Sequence, residues 1–191
     1  MSDKKLIKRI KSGDMDAFSE LVTLYEKKAL SFTYRMLKDT SDAEDAAQEA
    51  FLRVFDKIDT FRESSSFSTW FYTILNNICL DILRKRTRAA DTVSINQTSS
   101  ENDEYELQIE DSAPGPYEQL QKSTAQELLE DALTKLSDEH RAVIIMRDIN
   151  GLDYEEIAKV LDVSLGTVKS RISRARLALR KILEENRELF L

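Results

Sequence analysis

The sequence predicts an all-α protein made of two small helical domains. Helical periodicity recurs in well separated stretches, glycine and proline number only 4 and 2 in 191 residues, and one long acidic stretch interrupts the pattern. With 41% hydrophobic and 33% charged residues, the chain has apolar content for one or two cores and a well solvated surface.

Composition also narrows the function. The longest apolar run is Ala142 to Met146, far short of the roughly 18 residues a membrane span needs, and the start MSDKKLIKRIKSGD has no signal-peptide core. The expectation is a cytoplasmic protein with no direct membrane insertion. Cys79 is the only cysteine, which excludes intramolecular disulfides and cysteine-rich metal sites. No glycine loop that could cradle phosphate is present, so no nucleotide cofactor or small-molecule substrate is expected. The net charge of −7 repels free DNA, so any DNA binding needs a local basic surface and help from a partner.

In the N-terminal unit, expected over residues 1–88, Ala43, Ala47, Ala50, Val54 and Ile58, with Phe51 and Phe55, form one apolar helical face. It starts after Ser41 with the acids Asp42, Glu44 and Asp45, which complement the dipole of a first turn. Gln48, Glu49, Leu52 and Arg53 lie off that face, available to a partner or simply solvated. Next, FRESSSFSTWFYTILNNICLDILRKRTR (61–88) combines aromatics, a serine-rich loop, two amides and a terminal basic cluster. Phe67, Phe71, Ile74, Ile78 and Ile82 make its stripe, flanked by Trp70 and Tyr72, with Thr73, Asn76 and Asn77 opposite and Arg84, Lys85, Arg86 and Arg88 at the end. Rings and amides beside cations suit unpaired bases, which stack and offer free edges. The same aromatics also suit a core, and Phe71 reads as core.

Residues 89–121 contain eight acids, both prolines and no Lys or Arg. Such a stretch buries too little apolar surface to order itself, and is read as a flexible linker, either a plain spacer or an active element. The second unit is expected over 122–191. Its segment YEEIAKVLDVSLGTVKSRISRARLALRK (154–181) reads as a helix-turn-helix. Val168, Ile172, Ala175, Leu179 and Ile182 share one stripe, and Asp162 with Val163 make the turn. Ser164 stands at an N-cap, and Gly166 leaves the first turn without a side chain. From Ser164 to Lys181 there are six cations and no acid, whereas an ordinary exposed helix mixes signs to gain i,i+4 pairs. That is a surface for phosphates and base edges in a major groove.

Taken together, DAEDAAQEAFLRVF (42–55), FRESSSFSTWFYTILNN (61–77), the acidic linker and YEEIAKVLDVSLGTVKSRISRAR (154–176) resemble, in the same order, the extracytoplasmic-function (ECF) sigma factors of the sigma-70 family. The resemblance runs from about Asp16 to Leu183. It implies a sigma2-like domain, a flexible linker and a sigma4-like domain that together give core RNA polymerase its promoter specificity. It implies docking on the clamp helices of the largest polymerase subunit through Asp45, Gln48, Glu49, Leu52 and Arg53, with a further contact to the flap region. For minus-10 recognition and melting it implies Ser64, Ser65, Ser66, Phe67, Trp70, Tyr72, Thr73, Asn76, Asn77, Arg84, Lys85 and Arg86, with Asn77 on the amide position that meets a flipped base. For the minus-35 box it implies Arg147, Ser164, Thr167, Lys169, Ser170, Arg171, Ser173, Arg174 and Arg176; of these, Arg171 borders the buried stripe. An anti-sigma factor that covers the docking surfaces is a further implied partner. The triple serine at 64–66 departs from the more varied loop of relatives, which leaves base preference in the downstream box open.

Two other readings compete. A dimeric helix-turn-helix repressor would use the same C-terminal residues but leaves 42–77 unexplained. A helical metal enzyme would use Asp42, Glu44, Asp45 and Glu49, yet the one histidine, His140, lacks the Glu-x-x-His spacing such sites use.

Overall fold

A computed structural model describes residues 3–62, 65–96 and 124–188, and every element assigned in them is helical. Helix α1 (Asp3–Lys11) buries Leu6, Ile7 and Ile10 and turns through Gly13, at φ 88°, into α2 (Met15–Leu37). Asp14 caps α2 by accepting the Ala17 amide at 3.1 Å, and Lys38, left-handed at φ 56°, closes it by donating its own amide to the Tyr34 carbonyl. Helix α3 (Thr40–Lys57) starts on Asp39, whose carboxylate accepts the Asp42 amide at 2.8 Å. Its buried residues are Ala43, Ala46, Ala47, Ala50 and Val54, so small side chains line the seam with α2 and let the two axes approach closely. The Thr33 hydroxyl, fully buried, donates across that seam to the Ala43 carbonyl at 2.9 Å.

A 3-10 turn (Ile58–Thr60) and a short loop lead into α4 (Phe67–Asn96). Phe67, Phe71 and Ile78 are buried as the stripe predicts, joined by Leu75 and Cys79. Rings of Tyr25 and Phe51 meet Phe71 with centroids 5.4 and 5.1 Å apart. Burial pushes the Cys79 thiol up to about 12. Phe55, expected within the apolar face, is instead 45% exposed: it sits at the open end of α3 and covers only the edge of Phe18, 5.2 Å away.

Helix α4 continues to Asn96, into the stretch read as linker, because Ala89 and Ala90 favour helix and no glycine or proline intervenes. The rest of the acidic stretch, residues 97–123, lies outside the described residues.

The second half comprises α5 (Thr124–Thr134), α6 (Asp138–Ile144), a π-helical turn (Ile145–Ile149), α7 (Tyr154–Leu161) and α8 (Leu165–Glu188). Val168, Ile172 and Ala175 are buried on α8, with Leu179 and Ile182 half-buried, as the stripe predicts. The two halves pack directly on each other. Helix α7 lies along α4, and α5 and α6 meet the C-terminal end of α2. Arg141 is the pivot: 8% exposed, it donates to the carbonyls of Leu133 (2.9 Å), Thr134 (2.9 Å) and Leu136 (3.1 Å) in its own half and of Met36 (2.7 Å) in the other. Carbonyls at two helix ends carry the negative end of the dipole, which is why a buried cation is tolerated there. Beside it, Glu130 accepts a hydrogen bond from Lys38 at 2.9 Å and pairs with Arg35 Nε at 3.0 Å, the latter without hydrogen-bond alignment.

Candidate nucleic-acid interface

The helix-turn-helix is built by paired caps. Asp153 accepts the Glu156 amide at 2.7 Å while Glu156 accepts the Asp153 amide at 3.0 Å, a capping box that the D-x-x-E spacing signals. Asp162, at φ 52°, ends α7, and Ser164 caps α8 by accepting the Thr167 amide at 3.1 Å. Beyond that cap, Lys169, Ser170, Ser173 and Arg174 are exposed on one side of α8.

The remaining expected minus-35 residues are tethered within the chain. Arg176, also exposed, donates from Nε to Asp148 at 3.1 Å, and that carboxylate holds the guanidinium above its ordinary value. Arg171 pairs with Glu139 at 3.2 Å, in keeping with its place at the edge of the stripe. Arg147, on the π-helical turn, donates to the Leu152 carbonyl at 2.8 Å and lies over the Tyr154 ring at 5.0 Å. The Thr167 hydroxyl is 2.9 Å from that of Ser164. At Gly166 an added Cβ would meet, among the described residues, only the Ser164 hydroxyl, at 3.8 Å, so none of them requires a glycine there.

On α4 the expected minus-10 residues fall into two ridges. Trp70 and Thr73 are half-buried and Asn77 is exposed, one turn apart on one ridge that continues to exposed Arg84 and Lys85. Phe61 and Trp70 rings stand 5.0 Å apart at the head of that ridge. The other ridge is closed. Tyr72 and Asn76, expected beside and opposite the stripe, are 2% exposed, because α4 is covered by α7 as well as by its own domain. Burial pushes the Tyr72 phenol up, so it stays neutral and accepts a hydrogen bond from Asn150 Nδ2 at 2.6 Å. Thr69, which the sequence reading missed, is 3% exposed, and its amide donates to the Ser66 hydroxyl at 3.1 Å. Both hydroxyls lie 3.3 Å from Glu156 Oε1, so the carboxylate that caps α7 also sits on the serine loop. Phe67 is core, Ser65 is half-buried, and Ser64 lies outside the described residues. Arg84 pairs with Asp81 at 3.2 Å, and Arg86 is structural, donating to the Leu37 carbonyl at 2.8 Å and pairing with Asp42.

On α3, Asp45, Gln48 and Leu52 are exposed, Leu52 by 61%, while Glu49 and Arg53 pair with each other at 2.7 Å. Asp42 and Glu49, two of the acids of the metal reading, are thus engaged by arginines. Among the described residues no three His, Cys, Asp or Glu side chains converge as a metal site, and no helix is long and apolar enough to cross a membrane.

Comparison with known proteins decides between the readings. The family models for sigma-70 region 2 and sigma-70 region 4 match residues 21–89 and 126–179. The chain is 37% identical over 185 residues to the ECF RNA polymerase sigma factor SigW of Bacillus subtilis, covering 97% of this chain and 98% of that one. The chain belongs to the ECF sigma factors of RNA polymerase. It is likewise 32% identical over 179 residues to the ECF sigma-E factor of Escherichia coli K12, covering 94% and 93% of the two chains. Its fold is similar to that of the sigma factor RpoE of Bartonella quintana, solved in complex with the anti-sigma factor NepR, with a TM-score of 0.67 and 28% identity over 87% of this chain and 96% of that one. This ECF sigma factor is therefore a transcription initiation factor and not an enzyme, and its two matched regions serve promoter recognition.

Proposed function

We propose that this ECF sigma factor captures a flipped minus-10 base on the open ridge of α4 and reads the minus-35 box with the N-terminal half of α8. The observation that carries the first assignment is the ridge itself: a ring, a hydroxyl and an exposed amide at Trp70, Thr73 and Asn77, one turn apart and ending in Arg84 and Lys85. A site that accepts only an unstacked base shifts the equilibrium toward open DNA by binding alone, without nucleotide hydrolysis. Phosphate contacts from Lys169, Ser170 and Ser173 position α8, while Arg174 supplies base choice. Core polymerase docks on Asp45, Gln48 and Leu52, with Glu49 and Arg53 as a paired edge, and exposed Leu52 gives that contact its apolar centre. Because Glu156 sits on Ser66 and Thr69, a DNA strand reaches those hydroxyls only after α7 has moved off α4. An anti-sigma factor, such as accompanies RpoE of Bartonella quintana, fits the same exposed α3 face, and the chain works in the cytoplasm.

The test is a reconstituted holoenzyme on a promoter selected by this factor. Asn77→Ala is expected to lower permanganate reactivity of minus-10 thymines while leaving closed-complex affinity intact. Equal loss of both would remove the base-capture role from Asn77.

A further inference from the structure

Helix α1 carries a feature that base capture does not use. Lys4, Lys5, Lys8 and Lys11 are all exposed, and Lys4, Lys8 and Lys11 recur at helical spacing along one side. The opposite side is committed to the core through Leu6, Ile7 and Ile10. Asp3, the one acid of the helix, is turned away from the lysines and accepts the Tyr25 hydroxyl at 2.6 Å. The exposed side of α1 is therefore lined by lysines, in a protein of net charge −7.

Its position is fixed by Lys11, whose ammonium donates to the carbonyl of Phe61 at 2.7 Å and lies 3.4 Å from that of Asp59. Phe61 is the residue whose ring meets Trp70 at the head of the open α4 ridge. The lysine ridge thus begins beside the base-capture site and runs away from it for about 10 Å, at 1.5 Å per residue from Lys11 back to Lys4. That length matches one to two phosphate spacings of an extended strand.

We infer that the exposed lysine side of α1 is a phosphate track that holds the single strand adjoining the base captured on α4. This inference rests on the base-capture reading and extends it to a second element. Lysine suits the task because a phosphate track must tolerate any sequence, and an ammonium on a flexible stem binds phosphate as a point charge without demanding fixed geometry. Binding energy spent on the backbone of the opened strand favours the melted state over the duplex whatever bases flank the captured one.

The experiment measures affinity of holoenzyme for a fork DNA with a single-stranded non-template minus-10 overhang, as a function of salt. Each phosphate neutralised on a single strand contributes about −0.7 to the slope of log K against log salt. The triple variant Lys4→Gln, Lys5→Gln, Lys8→Gln, which spares the Lys11 staple, is expected to make the slope shallower by about 1 to 2. The triple Arg variant is expected to restore it, and neutralising Lys27, Lys135 and Lys159 together is expected to leave it unchanged. An unchanged slope in the triple Gln variant overturns the track, as does weaker binding of DNA-free core polymerase, which would make an acidic protein surface the occupant. Asn77→Ala on the same fork separates the two ideas. Loss of base discrimination there with no slope change in the lysine variant removes the track alone, whereas no effect in either removes base capture as well.

Discussion

Arg174 and Arg176 are two residues apart on one helix, equally charged and both exposed, yet they are not equivalent. Arg176 already has a carboxylate, Asp148, within hydrogen-bond distance, and that pair must be traded for any contact to DNA. Arg174, exposed on its side of α8, has no such carboxylate among the described residues. Replacing Arg174 by Ala is therefore expected to relax base choice in the minus-35 box, costing roughly 1–3 kcal/mol of discrimination. Arg176→Ala is expected to weaken all upstream sequences alike. Competition binding with single-base minus-35 variants on reconstituted holoenzyme distinguishes the two, and reversed behaviour would exchange their roles. Spacing alone placed both arginines on the side opposite the buried stripe; Asp148, 28 residues away in sequence, was invisible to it.

Helix α8 combines a buried stripe, a serine cap and a glycine in its first turn. The stripe and cap follow from local rules, since a 3.6-residue period and a side-chain acceptor at the start need no tertiary partner to be recognised. Among the described residues the glycine has no intramolecular reason: an added Cβ would make only ordinary contact with the Ser164 hydroxyl, and the backbone is ordinary helix. Glycine in a helix costs about 0.5–1 kcal/mol relative to alanine. Gly166→Ala is expected to raise the melting temperature of the free protein while reducing affinity for minus-35 duplex in the holoenzyme. Higher stability with unchanged affinity would show that DNA does not approach that turn. Helix α4 teaches the converse lesson. Its stripe was legible, but its second buried ridge at Thr69, Tyr72 and Asn76 was not, because the partner that buries it comes from the other half of the chain.

The packing of the two halves is the property of the whole molecule that sets which surfaces are open. Its polar contacts among the described residues include Arg141 on the end of α2, Glu130 between Arg35 and Lys38, Asn150 on Tyr72, and Glu156 on Ser66 and Thr69. Glu130 is only 8% exposed, and removing one partner of a buried ion pair costs on the order of 3–5 kcal/mol because the remaining charges stay unpaired. Glu130→Lys places a third cation against Arg35 and Lys38 and is expected to separate the halves while each stays helical. Small-angle scattering should then report a larger radius of gyration with unchanged circular dichroism; an unchanged radius would mean that Arg141 and the α4–α7 contact suffice alone.

The sequence by itself determined the all-α class, the main stripes of α3, α4 and α8, the capped helix-turn-helix and the family, because periodicity, capping and motif order are local properties written in neighbouring residues. Only the tertiary structure decided that Tyr72 and Asn76 are closed while Trp70 and Thr73 are half-buried and Asn77 stays exposed. It also decided that Arg86 and Arg176 are held by carboxylates, and that α1 is stapled through Lys11 to Phe61, whose ring meets Trp70 on α4. These depend on which surfaces meet across tens of residues: a helix side that periodicity leaves polar is buried here because the second half of the chain packs over it, bringing Asn150 to the Tyr72 hydroxyl.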